Sequence, residues 1–117
     1  MNFFFRISAL VGFFGVALGA FGAHALKPLL ERNGLANIWE KAVLFHLVHA
    51  VVLLVVASRN PLPLLSWSLT LAGIIFFSGS LYIYAASQFR PMVFVTPLGG
   101  LCLLASWLML ALLDVPR

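Results

Sequence analysis

Charges in this chain are confined to the borders of four long uncharged runs. Twenty residues separate Arg6 from Lys27, and seventeen separate Lys41 from Arg59. No charge interrupts Leu64 to Phe89 before Arg90, and none interrupts Met92 to Leu113 before Asp114. Twenty residues of helix at ~1.5 Å per residue span ~30 Å, the thickness of a bilayer's hydrocarbon core. Backbone amides in lipid have no water to bond, so each run must satisfy its own amides as a helix. The expected fold is an all-α integral membrane bundle of four transmembrane helices. It forms a single domain over 1–117, with spans at about 5–26, 41–58, 64–89 and 92–113.

Composition supports lipid as the solvent. Hydrophobic residues make up 63% of the chain and charged residues 9%, against about 25% charged in soluble domains. The net charge of +4 comes from seven basic residues at the edges of apolar runs, with no basic tract. Such charges anchor helix ends at lipid headgroups and exclude a nucleic-acid surface. Cys102 is the only cysteine and forms no intrachain disulfide, so it reads as a small core or lipid-facing residue. Arg6, the following apolar stretch and Ala23-His24-Ala25 imitate a secretory signal with a cleavage site. With Met1 at the head of the sequence, the segment is expected to be retained as the first membrane helix.

The connection from Pro28 to Lys41 is the one long link. Proline suits a helix start, and apolar residues alternate with Glu31, Arg32 and Glu40. This predicts a short amphipathic helix lying in the interface between the first two spans, with Trp39 at headgroup depth. Trp67 is expected to do the same at the opposite face. Arg6, Arg59 and Arg117 oppose Lys27, Arg32, Lys41 and Arg90. The count is nearly even and leans to cytoplasmic termini, because Glu31 and Glu40 neighbour two of the opposing charges.

Gly12, Gly15, Gly19 and Gly22 form one stripe on the first helix, with a GxxxG pair at Gly15 and Gly19. Lipid gives helices no hydrophobic reason to associate, so close backbone approach must supply the contact. The stripe reads as an intrachain helix contact, a homodimer seam, or a groove for a flat ligand such as haem, quinone or a lipid tail. Gly79, Gly99 and Gly100 are further packing candidates.

Depth, counted at ~1.5 Å per residue from the Lys27/Lys41/Arg90 side, brings polar residues of separate helices together. His24 lies near the interface, His46 ~7 Å and His49 ~12 Å deep. Tyr82 lies ~12 Å, Ser80 ~15 Å and Thr96 ~9 Å deep, with Gly99 and Gly100 at ~14 Å. The opposite leaflet, lined by Ile7 to Leu10, Val51 to Val56, Leu69 to Leu71 and Leu108 to Leu113, reads as almost wholly apolar. His24, His46, His49, Ser78, Ser80, Tyr82 and Thr96 therefore form a candidate polar cluster in one leaflet. Intramembrane ionisable residues are functional candidates by default. A haem would need two axial histidines from facing helices, and a zinc site would need a fourth ligand such as Glu40. Against that stands interhelical bonding of neutral histidine, with serine and tyrosine hydroxyls or the Val93 carbonyl freed by Pro97 as partners. No nucleophile with its base, phosphate loop or paired carboxylate is present, and Ser78-Gly79-Ser80 has no acid–base companion.

The segments Leu18-Gly-Ala-Phe-Gly-Ala-His24, Phe45-His46-Leu-Val-His49, Phe77-Ser-Gly-Ser-Leu-Tyr82 and Phe94-Val-Thr-Pro-Leu-Gly-Gly100 resemble the domain of unknown function 423 family. These are small four-helix bacterial membrane proteins with a eukaryotic relative, transmembrane protein 256. The resemblance runs through all four helices in order. The family pattern in the second helix is Tyr-Gln followed three residues later by His. Here Phe45 and His46 take the first two places and His49 keeps the histidine. The resemblance implies the fold and a membrane location, and implies no established activity.

The functional expectation is a non-enzymatic multi-pass protein of the bacterial inner membrane, an accessory or assembly subunit with no resident cofactor or metal. Its expected partners are the lipid bilayer and other membrane subunits or a second copy, not nucleic acid. The alternatives are a small-solute or proton carrier using the polar pocket, and a haem- or quinone-binding redox subunit.

Overall fold

The computed structural model describes residues 2–115 and is entirely helical over them, as far as regular structure goes. Helix α1 runs Asn2–Ala23, α2 Lys27–Asn33 and α3 Ala36–Ala57. The third span has three parts: α4 at Leu64–Gly73, a π-helical turn at Ile74–Ser78, and α5 at Gly79–Ser87. Helix α6 spans Met92–Leu112. Among the described residues, four helices are long and apolar enough to cross a membrane. Arg117, one of the charges in the orientation count, lies outside the described residues.

The helix ends follow local chemistry. After Ala23 the chain turns through His24 to Leu26, and Pro28 at the head of α2 gives up no needed amide. Gly34, at φ 70°, closes α2 in the left-handed conformation that glycine adopts without penalty. Helix α3 begins at Ala36, five residues before the expected span start at Lys41. The charge-free run marks the lipid-immersed part of a helix, and Glu40 and Lys41 are good helix formers that extend it beyond the hydrocarbon. The interfacial helix is correspondingly shorter than the whole Pro28–Lys41 link. Asn33 on α2 ties it to the bundle, donating its amide to the Ala85 carbonyl at 2.9 Å and the Ala86 carbonyl at 3.3 Å.

The two tryptophans near the span ends are both buried in the bundle, Trp39 at 4% exposure and Trp67 at 5%. An indole N–H prefers a fixed acceptor where one is within reach. Trp39 Nε1 donates to the Leu18 carbonyl at 2.9 Å, and Trp67 Nε1 to Ser8 Oγ at 2.9 Å.

The packing order follows the chain. Helix α1 lies on α3, α3 lies on the three-part span, and that span lies on α6. The backbones of α1 and α6 do not approach each other. The molecule is therefore a shallow layer, 50 × 25 × 17 Å, with its middle spans most enclosed. One apolar core joins Leu30, Trp39, Ala42, Tyr82 and Ala85; a second joins Leu53, Val56, Trp67 and Ile74.

Candidate functional site

His46 is the hub of the first buried cluster, at 6% exposure. Its Nε2–H donates to the Val11 carbonyl on α1 at 2.8 Å, and its Nδ1 accepts the Tyr82 hydroxyl of α5 at 2.8 Å. A carbonyl can only accept, which places the ring proton of a neutral His46 on Nε2. One side chain of α3 thus ties three membrane helices together. The acceptor is Val11, not the Val93 carbonyl that Pro97 frees, because α1 packs directly on α3 and the α6 backbone does not reach it.

His49 lies one turn deeper and uses its ring the other way. Its Nδ1–H donates to the Phe45 carbonyl at 2.8 Å, and its Nε2 accepts the Trp107 indole N–H of α6 at 3.0 Å. The Phe45 ring stacks on the imidazole with planes 10° apart. All four ring nitrogens of His46 and His49 are therefore engaged within the chain.

The other expected members divide. Ser78 Oγ donates to the Ala42 carbonyl at 2.8 Å, and Ser80 Oγ and Thr96 Oγ1 share a 2.5 Å hydrogen bond. These groups lie with His46 and Tyr82 along the contacts of α3, α5 and α6. His24 is not among them. It sits exposed on the turn after α1, beside a shallow groove lined by Ala17, Ala20, Phe21 and Ala25. The turn carries it away from α3, so its interface depth does not place it at the cluster.

The glycines mark the closest approaches. A methyl at Gly22 would stand 2.2 Å from Trp39 Nε1, at Gly19 3.2 Å from Val43, at Gly15 2.6 Å from Leu47, and at Gly12 3.9 Å from Ala50. The whole stripe faces α3. Gly99 meets backbone, 2.2 Å from the Phe77 amide nitrogen in the π-helical turn. Gly100 is in ordinary contact with the Phe77 ring, and Gly79 meets nothing within 4 Å. Gly79 opens on a crevice of about 300 Å³ between α1 and the third span, with Val11, Leu18, Ile74 and Ile75 on its walls and His46 and Tyr82 at its base.

The leaflet expected to be apolar holds a second polar cluster, which corrects the one-leaflet reading. Ser8, Ser66, Thr70 and Ser106 are all nearly inaccessible. Thr70 Oγ1 donates to the Ser66 carbonyl at 2.8 Å and shares a 2.5 Å bond with Ser106 Oγ. Ser66 Oγ donates to the Asp114 carboxylate, and the Arg59 guanidinium donates to the Asp114 carbonyl. The apolar neighbours hid these hydroxyls in the sequence. The signal available was Ser66 and Thr70, four apart on one helix face.

Among the described residues no three His, Cys, Asp or Glu side chains converge on a metal position. No buried side-chain nitrogen or oxygen among them lacks a hydrogen-bond partner. Cys102 is half-buried and unbridged.

The sequence pattern of a protein family of unknown function, DUF423, matches residues 18–100. That stretch holds the His46–Tyr82 and Ser80–Thr96 contacts and Gly19 and Gly22 of the glycine stripe. The chain belongs to the DUF423 family. A DUF423 chain of this kind is also similar, at 40% identity, to a UPF0382 membrane protein of Staphylococcus haemolyticus, over 94% of this chain and 93% of the relative. It is 36% identical to the UPF0382 membrane protein YwdK of Bacillus subtilis, over 98% of each. It is 37% identical to the UPF0382 inner membrane protein YgdD of Escherichia coli, over 91% of this chain and 84% of the relative. No solved structure gives a significant match. With its four apolar spans, this DUF423 member is a multi-pass integral membrane protein.

Proposed function

We propose that this DUF423 protein is a non-catalytic accessory or assembly subunit that acts beside a larger membrane partner. The carrying observation is the full internal use of its buried polar groups: every ring nitrogen of His46 and His49 is bonded within the chain. A catalytic or metal-binding histidine needs a free lone pair or a movable proton, and these have neither without breaking a helix contact. The outer spans leave broad surfaces for a partner. Only 11% of the first span and 17% of the last are buried inside the chain, against 33% and 39% for the middle two. Crosslinking in native membranes, followed by pull-down and mass spectrometry, tests the reading. A recurrent membrane-protein partner is the expected result. A chain that purifies alone as a monomer after crosslinking overturns it.

A second reading, a carrier for a small solute or proton, draws on the crevice above His46 and Tyr82. Proteoliposomes would then show flux that His46→Ala, at the crevice, abolishes; absent flux in the unaltered protein removes it. A quinone-binding role would use the same crevice. Lipid extracts of the purified protein free of quinone, with no Soret band, exclude the redox reading.

A further inference from the structure

A second cavity, of about 360 Å³, lies where α1, α2 and the start of α3 meet, away from the histidines. Its inner wall is apolar or aromatic, from Gly19, Gly22, Trp39 and Val43. Its rim carries Lys27, Glu31 and Glu40, all exposed. The geometry points to a seat for one phospholipid whose headgroup carries a primary ammonium.

Three features select that occupant. The cavity is amphipathic in the same sense as a lipid: charged where α2 lies at the interface, apolar where Gly19 and Val43 enter the span. Its charges complement a zwitterion. Two carboxylates can share the three N–H donors of an ammonium, and Lys27 can bond the phosphate. Arg32 and Lys41, which follow the two glutamates in sequence, do not line the cavity. The rim therefore holds two negative charges against one positive, which disfavours a headgroup of net negative charge. A choline headgroup offers the carboxylates no N–H, so the seat distinguishes it from a primary amine.

The proposal is independent of the accessory-subunit reading, since it concerns another cavity and another ligand. The test is native mass spectrometry of the purified full chain with added phosphatidylethanolamine, phosphatidylcholine or phosphatidylglycerol of identical acyl chains. Retention of phosphatidylethanolamine about tenfold above the other two is expected, the size of one charge-assisted hydrogen-bond set. Glu31→Gln with Glu40→Gln should erase that preference, and Lys27→Gln should lower retention of phosphatidylethanolamine without favouring phosphatidylcholine. The substituted side chains are exposed, so helicity by circular dichroism should be unchanged. Equal retention of the three lipids by the unaltered protein overturns the proposal, as does a preference that survives the double substitution or one for phosphatidylglycerol. The comparison of lipids on the unaltered chain needs no variant to fold.

Discussion

His46 and His49 stand three residues apart on α3 and are held in opposite tautomers. His46 donates from Nε2 to the Val11 carbonyl, whereas His49 donates from Nδ1 to the Phe45 carbonyl. In each ring the remaining nitrogen accepts, from Tyr82 on one side and Trp107 on the other. The first histidine links α3 to α1 and α5, and the second links it to α6. Two neutral imidazoles thus fasten the central helix to every other membrane span.

This assignment makes a spectroscopic prediction. Nitrogen-15 histidine spectra of a His24→Asn variant, which leaves only the two buried rings, should show in bilayers at neutral pH one Nε2–H ring and one Nδ1–H ring. Trp107→Phe should shift the Nε2 signal of His49 and leave its proton on Nδ1, because the Phe45 carbonyl still holds it. His46 should be unaffected by that change. Two rings of the same tautomer would contradict the geometry.

The His46 bridge also predicts an order of stabilities. His46→Ala leaves the Tyr82 hydroxyl without its acceptor and opens space beside Gly15. Hydrogen bonds between membrane helices contribute about 0.6 kcal/mol on average and up to about 2. The alanine variant should therefore lose about 1–2 kcal/mol once the lost packing is included. His46→Gln can donate to Val11 and accept from Tyr82, and should lose less than half as much. Unfolding in mixed micelles by denaturing detergent measures both. Equal losses would show that the ring's volume matters and its hydrogen bonds do not.

The four spans were legible because lipid imposes one rule on the whole chain, and the charges at Arg6, Lys27, Lys41, Arg59 and Arg90 obey it. The contact partners were less legible. Depth counting placed His46, Tyr82, Ser80 and Thr96 in one region, where the structure brings them together in two hydrogen-bonded pairs. It could not exclude His24, because depth carries no azimuth and the turn at His24 points away from α3. Nor could it find Ser8, Ser66, Thr70 and Ser106, since single hydroxyls barely lower the hydropathy of an apolar run. The preference of indole for the interface gave no sign that Trp39 and Trp67 are buried. Each has a buried oxygen acceptor that only the folded chain supplies.

The glycines separate into positions that can take a methyl and positions that cannot. Gly99→Ala would press Cβ to 2.2 Å from the Phe77 amide nitrogen, and a backbone atom in a packed turn has no rotamer to escape into. It should destabilise the protein by about 1–3 kcal/mol. Gly79→Ala meets nothing within 4 Å and gains helix propensity, so it should be neutral or stabilising by up to about 1 kcal/mol. Thermal unfolding of the two variants in one detergent decides the matter. The same order for both would remove the close approach of α6 to the π-helical turn.

The second cluster predicts small, unequal losses. Thr70 Oγ1 has two partners, the Ser66 carbonyl and Ser106 Oγ, so Ser106→Ala leaves it bonded to the carbonyl. That variant should cost about 0.6 kcal/mol, the ordinary value for one membrane hydrogen bond. Thr70→Val keeps the shape and removes the shared hydroxyl, and Ser106 Oγ can then fall back on the Ser66 carbonyl at 3.1 Å. Its cost should be similarly small. The double variant should cost less than the sum of the two, because the Thr70–Ser106 bond is counted in each single change. A double-variant cycle under detergent unfolding measures that coupling. A loss equal to the sum would mean that the two hydroxyls stabilise α4 against α6 through separate partners, and the 2.5 Å bond between them would not describe the folded protein.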